Sequence, residues 1–214
     1  MSTHADRHPV PVEERLILVD ERNRSLGSAE KHAAHRHGFL HRAFSIFLFD
    51  EDGRILLQRR AAGKYHSGGL WANACCGHPR PGEPTGRAAT RRLREELGLT
   101  AALSFGFHVR YRIPLDHGMI ENEFVYVFGG RLPTGLIQPD PKEADAVDLV
   151  TLDELEERVA RRPGHYAYWL RVYLSEHGDQ LRSMADGMRV RRDRRDDAGP
   201  SRFHGSRLTA ESLL

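Results

Sequence analysis

At 214 residues, with 32 basic against 30 acidic side chains, the chain suits one domain with tails and has no charge excess pointing to nucleic acid. No run approaches the ~20 apolar residues of a membrane span, and the N-terminal segment lacks the basic, apolar and small-residue layout of a secretory signal. Its two cysteines, Cys75 and Cys76, are adjacent; such neighbours seldom form a structural bridge, so a reducing cytoplasm is expected.

Residues 1–14 are polar, with Pro9 and Pro11, and read as a loose arm. A short apolar strand is predicted over 16–19, then a turn-rich connection over 20–27 and a segment over 31–40 carrying His32, His35 and His37. The run R-A-F-S-I-F-L-F over 42–49 is a strong strand, and Asp50-Glu51-Asp52-Gly53 turns it into a hairpin partner over 54–60. A loop over 61–69 holds Lys64 and His66, and an extended piece starts at Leu70-Trp71.

The stretch from Asn73 to Leu99 organises the rest. Gly77, Pro79, Pro81, Gly82 and Pro84 argue against a regular element before about Pro84. From 85 to 97 the pattern turns helical, with Ala88, Ala89, Leu93 and Leu97 on one side and Gly98 as the stop. A loop feeding a helix N-terminus suits anions, because free N–H groups and the helix dipole face them. Strands are expected over 105–113 and 123–132, joined by a turn at His117-Gly118, and a short one over 147–151. Helices are expected over 152–161 and 166–176, and a mixed-charge, disordered tail over 183–214. Strands interleaved with three helices predict an α/β sandwich around a mixed sheet spanning 15–182.

The run from Gly77 through Glu83, Arg91, Glu95 and Glu96 to Leu99 resembles the Nudix box, the loop–helix that holds metal-diphosphate in Nudix proteins. One position departs: where that pattern has Arg-Glu, this chain has Arg91-Arg92. A cation replacing a metal-binding carboxylate argues against hydrolysis and for gripping diphosphate without cutting it.

Other clusters carry chemistry. Glu121 and Glu123 flank Asn122 at a strand start, so both carboxylates project from one face and need a cation or proton between them; an exposed acidic strand end is the plainer alternative. His35, His41 and His78 with those carboxylates would suit a divalent ion, although spacing alone does not bring them together. His4, His8, His32, His37, His66, His108, His117, His165, His177 and His204 are read as ordinary surface or packing residues. Cys76 sits in the Gly/Pro loop as a possible acid or base, with Cys75 as its packing neighbour. Lys31, Arg60, Lys64 and Arg92 are the basic set, Arg92 suited to bidentate phosphate recognition, whereas Arg59, Arg91 and Arg94 are expected to be solvated. Tyr111 and Trp169 are aromatics by default in the core, and Trp best stabilises a cation.

The motifs E-K-x-A-A-H (from Glu30), L-H-R-A-F-S (from Leu40), N-A-C-C-G-H-P (from Asn73), R-Y-R (from Arg110) and E-N-E (from Glu121) resemble one Nudix branch, the type 1 isopentenyl-diphosphate isomerases, over roughly 15–180. The resemblance implies a Nudix-type α/β/α sandwich and a double-bond shift by protonation and deprotonation through a tertiary carbocation. It implies Cys76 and Glu123 as the acid/base pair, assisted by Tyr111, with Trp169 facing the cation. It implies one divalent ion, Mn2+ or Zn2+, on His35, His41, His78, Glu121 and Glu123. A Mg2+ would sit on Glu96 and the Cys76 carbonyl, and Lys31, Arg60, Lys64 and Arg92 would hold the diphosphate. The acting unit is expected to be a monomer with a small-molecule substrate, no nucleic acid and no membrane insertion. A Nudix hydrolase of a nucleoside diphosphate derivative and a silent diphosphate-binding module remain alternatives at this point.

Overall fold

The structure is a computed structural model that describes residues 14–189; the expected arm over 1–13 and the tail over 190–214 lie outside the described residues. In chain order the elements are β1 (Arg15–Val19), β2 (Ser25–Glu30), α1 (Lys31–His37), β3 (His41–Phe49), β4 (Ile55–Arg60), β5 (Trp71–Asn73), β6 (Cys75–Gly77), α2 (Thr85–Leu97), β7 (Leu103–Pro114), β8 (Ile120–Arg131), β9 (Ala144–Val150), α3 (Leu152–Arg161) and α4 (Tyr168–Met188).

The apolar run of β3 is buried on both faces, as a central strand must be. Along one edge β3 pairs in parallel with β8, which forms a long antiparallel hairpin with β7. On its other edge it meets β1, β6 and β4 in turn, and β4 carries β5 and β9. The mixed sheet divides two cores by strand alternation. Phe44, Ile46 and Leu48 pack with Cys75 and Leu93 under α2. Ala43, Phe47 and Phe49 pack with Val125, Val127, Trp169 and Tyr173 under α3 and α4. The expected sandwich is present.

Local rules account for the helix ends. The Glu30 carboxylate accepts from the backbone N–H groups of His32 and Ala33, and Gly38 closes α1 with φ 63°. Thr151 caps α3 by accepting from Glu154 N–H at 3.1 Å. Gly129 is a close approach: a Cβ there would stand 2.2 Å from Met184 Cε of α4.

Several expectations are corrected. Among the described residues four α-helices form rather than three, because the histidine segment is itself helical. Ser25–Glu30 is a strand, since it borrows register from β1 despite its weak apolar pattern. The Gly/Pro loop does not exclude a regular element: Cys75–Gly77 pairs with β3 as an inserted strand. The expected domain end at 182 falls inside α4, where Leu181 and Ala185 are buried. Glu14, assigned to the arm, accepts from Lys31 Nζ at 2.8 Å. Among the described residues no helix is long and apolar enough to cross a membrane.

Candidate active site

Strand register brings the chemistry together. Cys76 pairs with Ser45, His41 with Glu123, and Glu123 with Tyr111. Paired residues share a sheet face, so Ser45, Cys76, His41, Glu121, Glu123 and Tyr111 all project to the side of α4. Cys75, one residue earlier, points to the α2 core and is fully buried. A cavity of about 660 Å³ opens on this face, lined by Cys76, His78, Glu96, Tyr111, Glu121, Glu123 and Trp169 and by the cations Lys31, Arg60, Lys64 and Arg92.

The histidines gather at its inner end, His78 on its lining. His35 Nδ1 donates to Lys31 O (2.7 Å) and His41 Nδ1 to Phe39 O (2.8 Å). Each therefore turns the lone pair of Nε2 inward, and both Nε2 atoms are buried without a hydrogen-bond partner. His78 Nε2 donates to Glu123 Oε1 at 2.8 Å, and His41 Nε2 stands 3.5 Å from the same oxygen. One ring nitrogen from each of His35, His41 and His78 lies within 4.8 Å of the others. Burial, then the neighbouring His78, pushes His35 down to about 4; burial likewise lowers His78. Both imidazoles are neutral near pH 7, the form that binds a metal. Burial and the adjacent Glu123 raise Glu121 well above the carboxylate range, and its Oε2 has no partner. Burial acts the same way on Glu123, but the close His41 imidazole and the hydrogen bond from His78 outweigh it and hold that carboxyl well below the usual range. Neutral imidazoles, orphaned buried lone pairs and two carboxylates fit a divalent ion of borderline character.

Cys76 Sγ donates to Asn73 Oδ1 at 3.3 Å and lies 3.3 Å from Ser45 Oγ, which accepts from Tyr173 OH at 2.8 Å. Burial pushes the Cys76 thiol up to about 12, so it keeps its proton. Tyr111 OH donates to Glu123 Oε2 at 2.5 Å. Glu96 is buried, which raises it, and accepts from Gln58 Nε2 (3.0 Å) and an Arg92 guanidinium nitrogen (2.7 Å). Arg92 also pairs with Glu143 at 3.1 Å, which pairs in turn with Lys64. The Arg60 guanidinium lies 5.3 Å from the Trp169 ring centroid.

Every predicted site residue thus lies on the cavity or directly behind it. Two readings are corrected. His66, read as an ordinary surface or packing residue, is buried but also lines the cavity, and burial lowers it to about 3. Arg91 is not free in solvent but bridges Glu83 (2.8 Å) and Glu95 (3.1 Å), bracing the loop against α2. Glu143 was missed as well; its Pro-rich loop offers no periodicity that would place it.

Residues 39–170 match the NUDIX domain model. Isopentenyl-diphosphate Delta-isomerase 2 of Aromatoleum aromaticum is 51% identical over 163 residues, 76% of this chain and 86% of that protein. The Isopentenyl-diphosphate Delta-isomerase of Streptomyces griseus is 46% identical over 186 residues, covering 86% and 93%. The chain belongs to the isopentenyl-diphosphate Delta-isomerase family of NUDIX proteins. The fold extends further: DR0079 from Deinococcus radiodurans superposes with a TM-score of 0.62 at 20% identity, over 80% of this chain and 99% of that one. Within the isomerase family's loop–helix, Arg92 spends its charge on Glu95, Glu96 and Glu143, so the Nudix helix here displays a cation where the pattern has a carboxylate.

Proposed function

We propose that this enzyme interconverts isopentenyl and dimethylallyl diphosphate, a step of isoprenoid precursor biosynthesis, using Cys76 and Glu123 as its acid/base pair. The observation carrying this reading is that the two groups share one sheet face and one cavity whose lining includes Lys31, Arg60, Lys64 and Arg92. Shifting the double bond adds a proton at C4 and removes one at C2. Cys76 keeps its proton and Glu123 is ionised, so the pair begins with one proton to give and one acceptor to receive. In the reverse reaction the two exchange roles. Tyr111, donating to Glu123, links that carboxylate to the cavity and assists its proton transfer.

Protonating an unactivated alkene forms a tertiary carbocation, which water would trap. Trp169 and Tyr111 line the cavity and are almost fully buried, so their rings would shield the cation from water. Lys31, Arg60, Lys64 and Arg92 grip the diphosphate, so binding energy comes from atoms remote from the reacting carbons. His35, His41, His78, Glu121 and Glu123 would hold one Mn2+ or Zn2+. Glu96 and the Cys76 carbonyl would offer hard oxygens to a Mg2+. Such ions, when bound, fix the ligating side chains and neutralise diphosphate charge. The acting unit proposed is a monomer, and the free cysteines support a cytoplasmic setting.

The test is incubation with isopentenyl diphosphate and, separately, a nucleotide panel. Acid-labile allylic product with no released phosphate is expected. Phosphate release from a nucleotide without allylic product would instead establish a hydrolase.

A further inference from the structure

Tyr173, Ser45 and Asn73 are buried polar residues that the acid/base chemistry leaves unused, and they form one row with Cys76 Sγ. Four elements supply it. Ser45 on β3 is paired with Cys76 on β6, Asn73 ends β5, and Tyr173 comes from α4, its ring edge-on to Phe47 at 5.1 Å. Ser45 stands between Ala43 and Phe47 on an otherwise apolar face, where a hydroxyl is costly unless it is bonded.

The row has a fixed direction. Both Asn73 amide hydrogens are committed, to Ile46 O at 3.0 Å and to Cys75 O at 3.1 Å. Asn73 Oδ1 is therefore what faces Cys76, and an amide oxygen only accepts. Cys76 donates its one hydrogen there at 3.3 Å. At the other end the Tyr173 phenol donates to Ser45 Oγ at 2.8 Å. The Ser45 hydrogen then has Cys76 Sγ, 3.3 Å away, as its acceptor. Every proton points the same way, from Tyr173 through Ser45 and Cys76 to Asn73.

When the thiol protonates C4, the alkene π pair makes the new C–H bond and the S–H pair stays on sulfur. The sulfur becomes an anion away from bulk water, where a hydrogen bond already aimed at it needs no reorganisation. We infer that Ser45, backed by Tyr173, is a positioning residue for Cys76, its hydroxyl set to hold the charge left on Sγ as the proton leaves. This inference rests on the reading of Cys76 as the acid.

The test is made in the Cys75→Ala background, where Cys76 is the chain's single thiol. That parent and its Ser45→Ala, Tyr173→Phe and double variants are each confirmed folded by circular dichroism. The S–H stretching band is recorded by infrared spectroscopy without substrate, and kcat and KM are measured with isopentenyl diphosphate. Hydrogen bonds in a row polarise one another, so losing the Ser45 hydroxyl should weaken the S–H bond to Asn73 Oδ1 and move the band to higher frequency. Tyr173→Phe keeps the buried ring and should move the band the same way by less; it carries the test alone if Ser45→Ala does not fold. In Ser45→Ala kcat should fall ~10–10²-fold, the worth of one hydrogen bond to a charged atom, with KM unchanged. The double variant should be no slower than Ser45→Ala, because Tyr173 acts only through Ser45. An unmoved band, a loss confined to KM, or losses that simply add in the double variant overturn the inference, since a space-filling role predicts each of them. A moved band in a parent that makes no allylic product sinks the isomerase reading instead, and the catalytic use of the row with it.

Discussion

Cys75 and Cys76 are adjacent on β6 but face opposite sides of the sheet, so substituting each by alanine should separate stability from catalysis. Cys75 is fully buried in the α2 core. Deleting its sulfur resembles losing one buried methylene, ~0.8 kcal/mol, plus a cavity cost of ~24 cal/mol per Å³. Together these give about 1–2 kcal/mol, or a Tm lowered by roughly 2–8 °C for a domain of this size. Its turnover should stay near wild type. Cys76→Ala removes a proton-transfer group that no neighbour replaces, so turnover should fall ~10²–10⁴-fold, equivalent to about 3–5 kcal/mol of barrier. Its structural cost is smaller. Asn73 Oδ1 loses one weak donor, but the Asn73 amide still donates to Ile46 O (3.0 Å) and Cys75 O (3.1 Å). Inhibition by inorganic diphosphate should be unchanged in both variants, because Lys31, Arg60, Lys64 and Arg92 are intact. Steady-state rates with isopentenyl diphosphate and thermal melts decide the matter. Full activity in Cys76→Ala, or equal loss of turnover in Cys75→Ala, would refute the assignment of chemistry to one face of β6.

Glu121→Gln should lose the tightly held ion and most turnover; elemental analysis of the purified variant checks this, and stoichiometric metal with near-normal rates would contradict the ligand set. In metal-free protein, His35 is depressed from 6.5 to about 4, so the unfolded chain binds more protons in that window. Stability is therefore full above pH 6.5 and should decline as pH falls toward 4, read as falling urea midpoints; a flat profile would count against the buried neutral imidazole. The raised Cys76 thiol predicts slow alkylation by iodoacetamide at pH 8 relative to a free cysteine, and rapid labelling confined to Cys76 by peptide mapping would contradict it. Ending the chain at Arg182 should lower the Tm measurably, because it removes Met184 and the buried Ala185 from α4; an unchanged melt would show that the last turns of α4 contribute nothing.

The central strand was legible because its apolar run has no polar interruption, and α2 because Ala88, Ala89, Leu93 and Leu97 recur at helical spacing. The site was legible through motif spacing, and Arg92 through its departure from that spacing. What sequence could not show was carried by non-local pairing. β2 and β6 have no pattern of their own and exist because β1 and β3 offer them hydrogen bonds. His66 and Glu143 sit in loops, where no period says which way a side chain points; only the strained backbone at Ser67 and the cations facing Glu143 reveal them.

The shared pairing of β6 and β8 with β3 turns the sheet into a gauge. Cys76 and Glu123 are two strand widths apart laterally and four residues apart along β3, from Ser45 to His41. With strands about 4.8 Å apart and a rise of about 3.3 Å per residue, their backbones stand on the order of 16 Å apart. That interval is set by strand spacing and by the registers of β6 and β8 on β3, which loop insertions do not alter. The thiol and the carboxylate rise from the same face of the sheet, one on each side of β3, so side-chain reach closes what the backbones leave open. Side-chain length alone is left to tune the gap.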